Sequence, residues 1–379
     1  MKILIFSPYY PPHIGGLESH ADEFNQHLSE KGFDITVFTP HLPNNTPTKE
    51  TIHNNVKIVR FPAFEIIANY PLPKFWSFIF WKLFLNLFSQ NFDLIISRTR
   101  FFFTSILTLV YAKTKKVRWI HIEHGSDFVQ LNHKLISSIA KTYDLIIGKT
   151  VIALANEVVA NSEASAIFCK KLHPRECSVI YRGVKIEKIQ NQIPNEKLRE
   201  KYKESQIITF IGRLIDGKGV ADLLNAFSLL KNQETILFIV GDGSQRQKLE
   251  DLATALKIKE RVIFFGHQNF NDAIGILKIS NIFVNPSYTE GLPTSVIEAA
   301  FCKKAIIATN VGGTNEVITN QTSGFLIQPK NIAELKTAIE TLLENKKLQE
   351  DFGEKASQEV TKKFNWENST EKYLKLFKK

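Results

Sequence analysis

In Asn285-Pro-Ser-Tyr-Thr-Glu-Gly-Leu-Pro-Thr-Ser-Val-Ile-Glu, seven residues separate Glu290 from Glu298. The apolar run Ile282–Asn285 reads as a strand, and Pro293 suits the first turn of a helix that carries Glu298. Glu290 then projects from the loop at a strand's carboxyl end, with Glu298 one to two turns into the helix. The free N–H groups of Gly291, Leu292 and the first turn point into the same place. Two carboxylates can accept from sugar hydroxyls, and the amides make a nest for phosphate. The plainer alternative is a surface glutamate beside a helix-start glutamate favoured by the macrodipole.

Phe210-Ile-Gly-Arg-Leu-Ile-Asp-Gly-Lys-Gly-Val runs from a strand through Gly212-Arg213 to Lys218-Gly219 at a helix start. Arg213 can grip two phosphate oxygens at once, and Lys218 adds a mobile point charge. Two surface cations in a loop would look the same. Gly15-Gly16 follows the first strand, where glycine lets backbone approach a ligand closely, although a tight turn needs one too. Gly241-Asp242-Gly243 follows another strand. A dinucleotide loop needs a third glycine where Arg246 stands, which argues against NAD. His124, in His124-Gly125-Ser126-Asp127, sits where the run Trp119–Glu123 ends. A lone histidine is more often structural, and its neighbours His121 and Glu123 share one strand face without an evident third metal ligand.

Strands must position these loops. In the first half Lys2–Phe6, Ile35–Phe38, Leu94–Ser97, Val117–Glu123, Leu145–Ile147, Val158–Asn161 and Ser178–Ile180 read as strands. A helical pattern runs from Leu17 to Lys31. After a charged connector, Lys185–Glu204, the rhythm restarts with Ile207–Ile211, Ile236–Val240, Val262–Phe265, Ile282–Asn285, Ala305–Ala308 and Gly324–Ile327. Strands alternating with helices argue parallel sheets covered on both faces. Two such series argue two Rossmann-like domains, with ligands outside the carboxyl ends of the strands.

The chain has 379 residues, 44% of them hydrophobic and 23% charged, the composition of an ordinary globular protein. Cys169, Cys177 and Cys302 make no framework, so a disulfide scaffold and a structural zinc are unexpected and a reducing compartment is the default. The first residues read as a buried strand and not as a signal peptide. The longest apolar run, Phe75 to Phe88, is interrupted by Ser77, Lys82 and Asn86, too short for the roughly 18 residues of a membrane span.

The net charge of +10 is uneven. Between Val56 and Ile120 lie ten basic residues, two acidic ones (Glu65 and Asp93) and sixteen aromatics. That mixture suits an anionic membrane surface. If Phe75–Ser89 is helical, Lys82, Asn86 and Ser89 form a narrow polar stripe. Such a helix is either mostly buried or lies in a membrane interface. No nucleic-acid motif accompanies the charge, and no nucleic acid is expected as a partner.

With its companions, the Glu290 to Glu298 string resembles glycosyltransferase family 4, retaining nucleotide-sugar transferases of the GT-B fold, over nearly the full chain. The resemblance implies an E-x7-E motif, with Glu298 on the nucleotide ribose and Glu290 on the donor sugar. It implies that Arg213 and Lys218 neutralise the leaving diphosphate. Gly212, Gly241, Gly291 and Leu292 would line the donor, and the base would lie near Phe264–Phe265, mostly on backbone. Gly15 and Gly16 are similar to the family's G-G-x-E loop, near donor phosphate and acceptor. His124 and Asp127 stand as in H-G-x-D, the histidine by the sugar's reacting face and Asp127 toward the acceptor. The chain departs from the family at Arg182-Gly-Val-Lys185 and at Lys303.

The expectation is thus an α/β GT-B enzyme whose two parallel-sheet domains face across a cleft. Residues 1–184 would bind acceptor, with helix 364–379 packing back on them. Residues 185–363 would bind a UDP- or GDP-linked sugar, and domain closure would bring the two sets of residues together. The reaction expected is front-face displacement onto a hydroxyl of a glycan or lipid-linked acceptor, in polysaccharide or glycolipid synthesis. No cofactor is expected. Asp-x-Asp is absent from the sequence, and Arg213, Lys218 and helix N-termini can meet the diphosphate charge, so metal independence is expected too. The protein would be cytoplasmic, peripheral at the inner membrane face. The competitors are a sugar-nucleotide epimerase or a phosphorylase of the same architecture, and a non-enzymatic sugar-binding protein.

Overall fold

Lys2–Phe6 (β1) is buried from Ile3 onward, as a strand covered on both faces must be. In the computed structural model, which describes residues 1–13, 15–66, 70–128 and 134–378, the chain divides into two units. Met1–Gly183 and Trp366–Lys379 form the first, and Val184–Asn365 form the second.

In the first unit β1 is followed by β2 (Asp34–Pro40), β3 (Lys49–Ile52), β4 (Val56–Phe61), β5 (Ala63–Ile66) and β6 (Tyr70–Pro73). Then come β7 (Leu94–Arg98), β8 (Trp119–Glu123), β9 (Glu157–Ala160) and β10 (Ser178–Val179). Eight of them make one sheet in the order β10-β9-β8-β7-β1-β2-β4-β3, parallel except for β3; β5 and β6 pair apart from it. The order reverses between β1 and β7, so the loops after those strands flank the switch point where ligands gather in such sheets.

Alternation along the strands feeds two cores. Leu4, Phe6, Phe38, Ile95 and Trp119 face helices Phe78–Phe88 and Phe103–Lys115. Ile3, Ile5, Val37, Ile96 and Ile120 face helix Gly16–Glu30 and the last helix, Trp366–Phe377. The last helix is held by Tyr373, whose ring meets that of Phe24 edge-on at 4.8 Å. Tyr373 is 1% exposed. Its loss to alanine would cost about 3 to 5 kcal/mol and free the helix.

The second unit contains β11 (Ile207–Ile211), β12 (Ile236–Val240), β13 (Val262–Gly266), β14 (Ile282–Asn285), β15 (Ala305–Thr309) and β16 (Phe325–Ile327). They form a parallel sheet, β13-β12-β11-β14-β15-β16, with its switch point between β11 and β14. Phe210, Leu237, Ile239, Val284 and Ile307 pack on helices that include Val220–Ser228 and Ile332–Glu344.

Three local expectations are corrected. Leu145–Ile147 is not a strand: it lies in a π-helical turn, Asp144–Gly148, between helices Lys134–Tyr143 and Lys149–Leu154. Leu145 and Ile146 are exposed there, and the place beside β8 in the sheet belongs to β9. Lys185–Glu204 is not a free connector. It forms helices Ile186–Asn191, which buries Ile189, and Glu196–Lys201, capped by the Asn195 side chain, both within the second unit. The helix expected from Phe75 starts at Phe78, and strands β3 to β6 were not foreseen, since segments such as Lys-Glu-Thr-Ile at the edge and Val-Lys-Ile-Val-Arg-Phe beside it carry no long continuous apolar run.

Candidate active site

In the second unit the loops after β11 and β14 meet at the switch point. Gly219 lets them approach, and Gly241 lets the loop after β12 approach the one after β11. Gly219 has φ +66 and begins helix Val220–Ser228, and a Cβ there would lie 2.0 Å from the Pro286 carbonyl. Gly241 has φ +139, and its Cβ would lie 1.9 Å from the Gly212 carbonyl. No other residue fits either position without moving backbone. The Tyr288 N–H donates to Gly217 at 2.7 Å, and its hydroxyl donates to Asp222 at 2.8 Å, so the two loops are clamped.

That clamp places Lys218 on Glu290. The ammonium donates to Oε1 at 2.6 Å, and Asn285 Nδ2 donates to the same oxygen at 3.3 Å. Asn285 is set in turn by Ser287, whose hydroxyl donates to its Oδ1 at 2.6 Å. Burial works to raise the Glu290 carboxyl, but Lys218 and the hydrogen bonds outweigh it and hold the pKa below the ordinary value. Glu290 is therefore an anion that can also accept from a hydroxyl, and Lys218 is a tethered charge instead of the mobile one expected.

Arg213 follows β11 and is exposed; its guanidinium makes no hydrogen bond or ion pair to any described residue. Gly212 donates to Val240 at 3.0 Å and Leu214 to Asp242 at 2.8 Å, which joins this loop to the one carrying Gly241. Glu298 is half-buried, the fifth residue of helix Thr294–Phe301. Leu292 is buried, and the Gly291 carbonyl accepts from Gly313 at 2.9 Å. Phe265, on β13, is half-buried against Phe238, with ring centroids 5.0 Å apart.

In the first unit, Gly15 and Gly16 begin helix Gly16–Glu30, and Gly16 is exposed. Glu18 folds back over Gly15 and meets His13 Nδ1 at 2.5 Å. His124 follows β8. Its backbone N–H and that of Gly125 donate to Glu123 Oε1 at 2.8 and 2.7 Å. Glu123 is fully buried and also receives Arg100 Nη1 at 2.9 Å, while Arg100 Nη2 donates to Asp144 at 2.8 Å. Burial opposes ionisation of Glu123, but Arg100, His121 and the amides overcome it, and its pKa lies far below the usual range.

Burial pushes the His124 imidazole down to about 3, with Arg98 and Arg182 adding to the effect and Glu123 opposing it. Asn161 fixes the tautomer. Its Oδ1 accepts from Ser165, so its amide donates to His124 Nδ1, at 3.4 Å. The proton then sits on Nε2, a buried donor with no partner among the described residues. His124 thus offers a neutral N–H, suited to a sugar oxygen. Asp127 is exposed and its Oδ1 accepts from the Phe128 N–H at 2.7 Å.

The sequence did not point to Asn285, Ser287, Tyr288 and Asp222 as the residues that fix the Glu290 loop, nor to Arg98, Arg100, Asp144 and Asn161 around His124. Asn285 and Ser287 act on near neighbours through loop geometry, and the others depend on partners far away in the chain. Among the described residues no group of three or more His, Cys, Asp or Glu side chains is placed to hold a metal ion.

Residues 14–188 match the model of Glycosyltransferase Family 4, and residues 192–359 match that of Glycosyl transferases group 1. An uncharacterized glycosyltransferase of Methanocaldococcus jannaschii is 39% identical over 388 residues, covering 100% of this chain and 98% of the relative. The UDP-Gal:alpha-D-GlcNAc-diphosphoundecaprenol alpha-1,3-galactosyltransferase of Escherichia coli is 26% identical, covering 92% and 89%. The crystal structure of Anabaena HepE in complex with UDP-glucose shares the fold at a TM-score of 0.78 and 18% identity, covering 100% of this chain and 99% of that one. The two α/β units described above agree with the fold of that structure. The chain belongs to glycosyltransferase family 4 and is a glycosyltransferase with the two-domain α/β GT-B fold.

Proposed function

We propose that the protein is a retaining glycosyltransferase that moves a hexosyl group from a UDP-sugar to a hydroxyl of a lipid-linked or other glycan acceptor. The observation that carries this is the Lys218–Glu290 pair on the loop that also carries Arg213, whose guanidinium has no partner among the described residues. Two cations there suit a diphosphate, and an ionised carboxylate beside them suits sugar hydroxyls. The uridine and the lipid-linked acceptor are supported by the galactosyltransferase relative and by the UDP-glucose complex of the structural neighbour.

In the proposed reaction the bond from the anomeric carbon to the diphosphate oxygen breaks. The acceptor oxygen bonds to the same face of that carbon, and its proton passes to the leaving phosphate oxygen. Arg213 and Lys218 stabilise the charge that develops on the diphosphate, a job for fixed cations that calls for no metal ion. Glu290 and the neutral His124 hold the sugar's hydroxyls, Glu298 the ribose, and Asp127 with Gly15 and Gly16 the acceptor. A cytoplasmic site in polysaccharide or glycolipid synthesis accords with the cysteine usage and the relative's lipid substrate.

The test is thermal shift with UDP, GDP, ADP and CMP in EDTA, on wild type and Glu298→Ala. A nucleotide at about 100 times its dissociation constant adds about 2.7 kcal/mol of stability. The expected outcome is a shift with UDP in wild type alone. NMR of the product should then show the donor's anomeric configuration. A shift with GDP and not UDP, a need for divalent metal, or an inverted product would overturn the corresponding part.

A further inference from the structure

Helix Phe78–Phe88 needs only one face to fold. It buries Phe80, Leu83, Phe84 and Leu87. Its other face should be polar in a protein that meets only water, yet only Lys82 and Asn86 are polar there. Phe78 is 78% exposed, Leu85 60% and Ile79 55%, and Trp76, just before the helix, is 74% exposed. Trp81 is partly exposed as well, and its indole N–H donates to the Phe75 carbonyl at 2.8 Å, tying the segment that carries Trp76 to the helix. Isolated apolar residues on a surface are ordinary, but a cluster of this kind marks a docking face.

Charge selects the occupant. Between Glu65 and Asp93 there is no acidic residue, while Lys74 and Lys82 lie on the segment. At the far end of the helix Lys115 donates to the Phe88 carbonyl at 2.9 Å, and Lys116 beyond it is exposed. The face is thus aromatic and aliphatic, and the segment that carries it bears only positive charge; of the nearby acids, Glu50 is paired with Arg60 and Glu65 accepts from Tyr9. Tryptophan, phenylalanine and lysine in this arrangement fit the headgroup layer of an anionic bilayer: rings among the acyl boundary, ammonium groups on phosphates. A second copy of the chain would set the like-charged edges against each other.

We propose that Trp76, Phe78, Ile79, Trp81 and Leu85 dock the protein on an anionic membrane surface, with Lys74 and Lys82 on the lipid phosphates. The helix lies along the surface. Its 11 residues span about 16 Å, roughly half of a hydrocarbon core. Among the described residues no helix is long and apolar enough to cross a membrane. The docking depends only on this face and stands apart from the donor chemistry.

Tryptophan fluorescence reads it directly. Of the four tryptophans, Trp119 and Trp366 are 1% and 5% exposed, so a blue shift on binding reports Trp76 and Trp81. Full-length protein is mixed with phosphatidylcholine vesicles containing roughly a third phosphatidylglycerol, at low salt. The expected results are a blue shift, sedimentation with the vesicles, and several-fold weaker binding at about 0.5 M salt. Phe78→Glu with Leu85→Glu should weaken binding about tenfold or more at an unchanged thermal midpoint, since both side chains are exposed. Three results would overturn the proposal: wild type that neither sediments nor shifts, a double variant that binds as wild type does, or a dimer that the double variant breaks while vesicle binding is untouched.

Discussion

Lys218 Nζ donates to Glu290 Oε1 at 2.6 Å, joining two residues 72 positions apart. The pair ties the loop after β11 to the loop after β14 at the point where the strand order reverses. Arg213, five positions before Lys218, has no such partner among the described residues. Two cations with the same proposed task therefore stand in different states, one free to meet a ligand and one held by an acid.

Replacing them should have different consequences. Arg213→Ala should lower turnover about 100-fold and change stability by no more than about 0.5 kcal/mol, as for an exposed side chain. Lys218→Ala should lower turnover and also cost about 3 kcal/mol, because the buried Glu290 charge loses its partner. Urea unfolding beside steady-state kinetics separates the two effects. Equal stability losses in the two variants would refute the distinction.

The Glu290 pair should also show in the pH dependence of stability. Its carboxyl pKa is lower in the folded protein than in the unfolded chain. The contribution is thus complete above the unfolded value of about 4.3 and is lost as pH falls through the folded one. The stability difference between wild type and Glu290→Gln should be constant from neutrality down to about pH 5 and shrink at lower pH. Chemical denaturation across that range measures it, and a difference that grows on acidification would contradict the pairing.

Asp144 should behave in the opposite sense. Burial raises its carboxyl to about 6, helped by Glu123 and opposed by Arg100. Its Oδ1 has no hydrogen-bond partner among the described residues. Between about pH 4 and 6 the folded protein keeps a proton that the unfolded chain has released, so stability falls as pH rises. Asp144→Asn should remove that fall, which amounts to about 2 to 3 kcal/mol. The same pH slope in wild type and variant would show that Asp144 titrates normally.

His124 should not titrate near neutrality, since its imidazole is pushed down to about 3. In NMR spectra, the resonance that disappears in His124→Ala should stay fixed from about pH 5 to 8. The same variant should lose about 100-fold in turnover, the scale of one transition-state hydrogen bond. A titration midpoint near 6.5 would mean that Arg98 and burial do not control this ring.

Repeated apolar runs specified the sheet of the second unit and six of the eight strands of the first, because a strand buried on two faces must be apolar along its length. Ile207–Ile211 and Ile236–Val240 are strands with the expected limits. Where a run is short the same logic misleads. Leu145–Ile147 has strand-like residues, yet Asp144 bonds to Arg100, 44 positions away, and the segment winds into a helix. Glycine was legible at Gly241, since a backbone conformation is written in a single residue, but the nearness of Gly212 that requires it was not. Likewise the sequence by itself placed Glu290, Arg213 and Lys218 on loops at strand ends and Glu298 on the helix that follows. Only the tertiary structure decided that Lys218 meets Glu290, that Arg213 has no partner among the described residues, and which face of Phe78–Phe88 is left outside. Periodicity and residue type act over a few positions of the chain. The order and register of strands far apart in sequence set the distances between loops, and those distances are fixed only when the sheet closes on its helices.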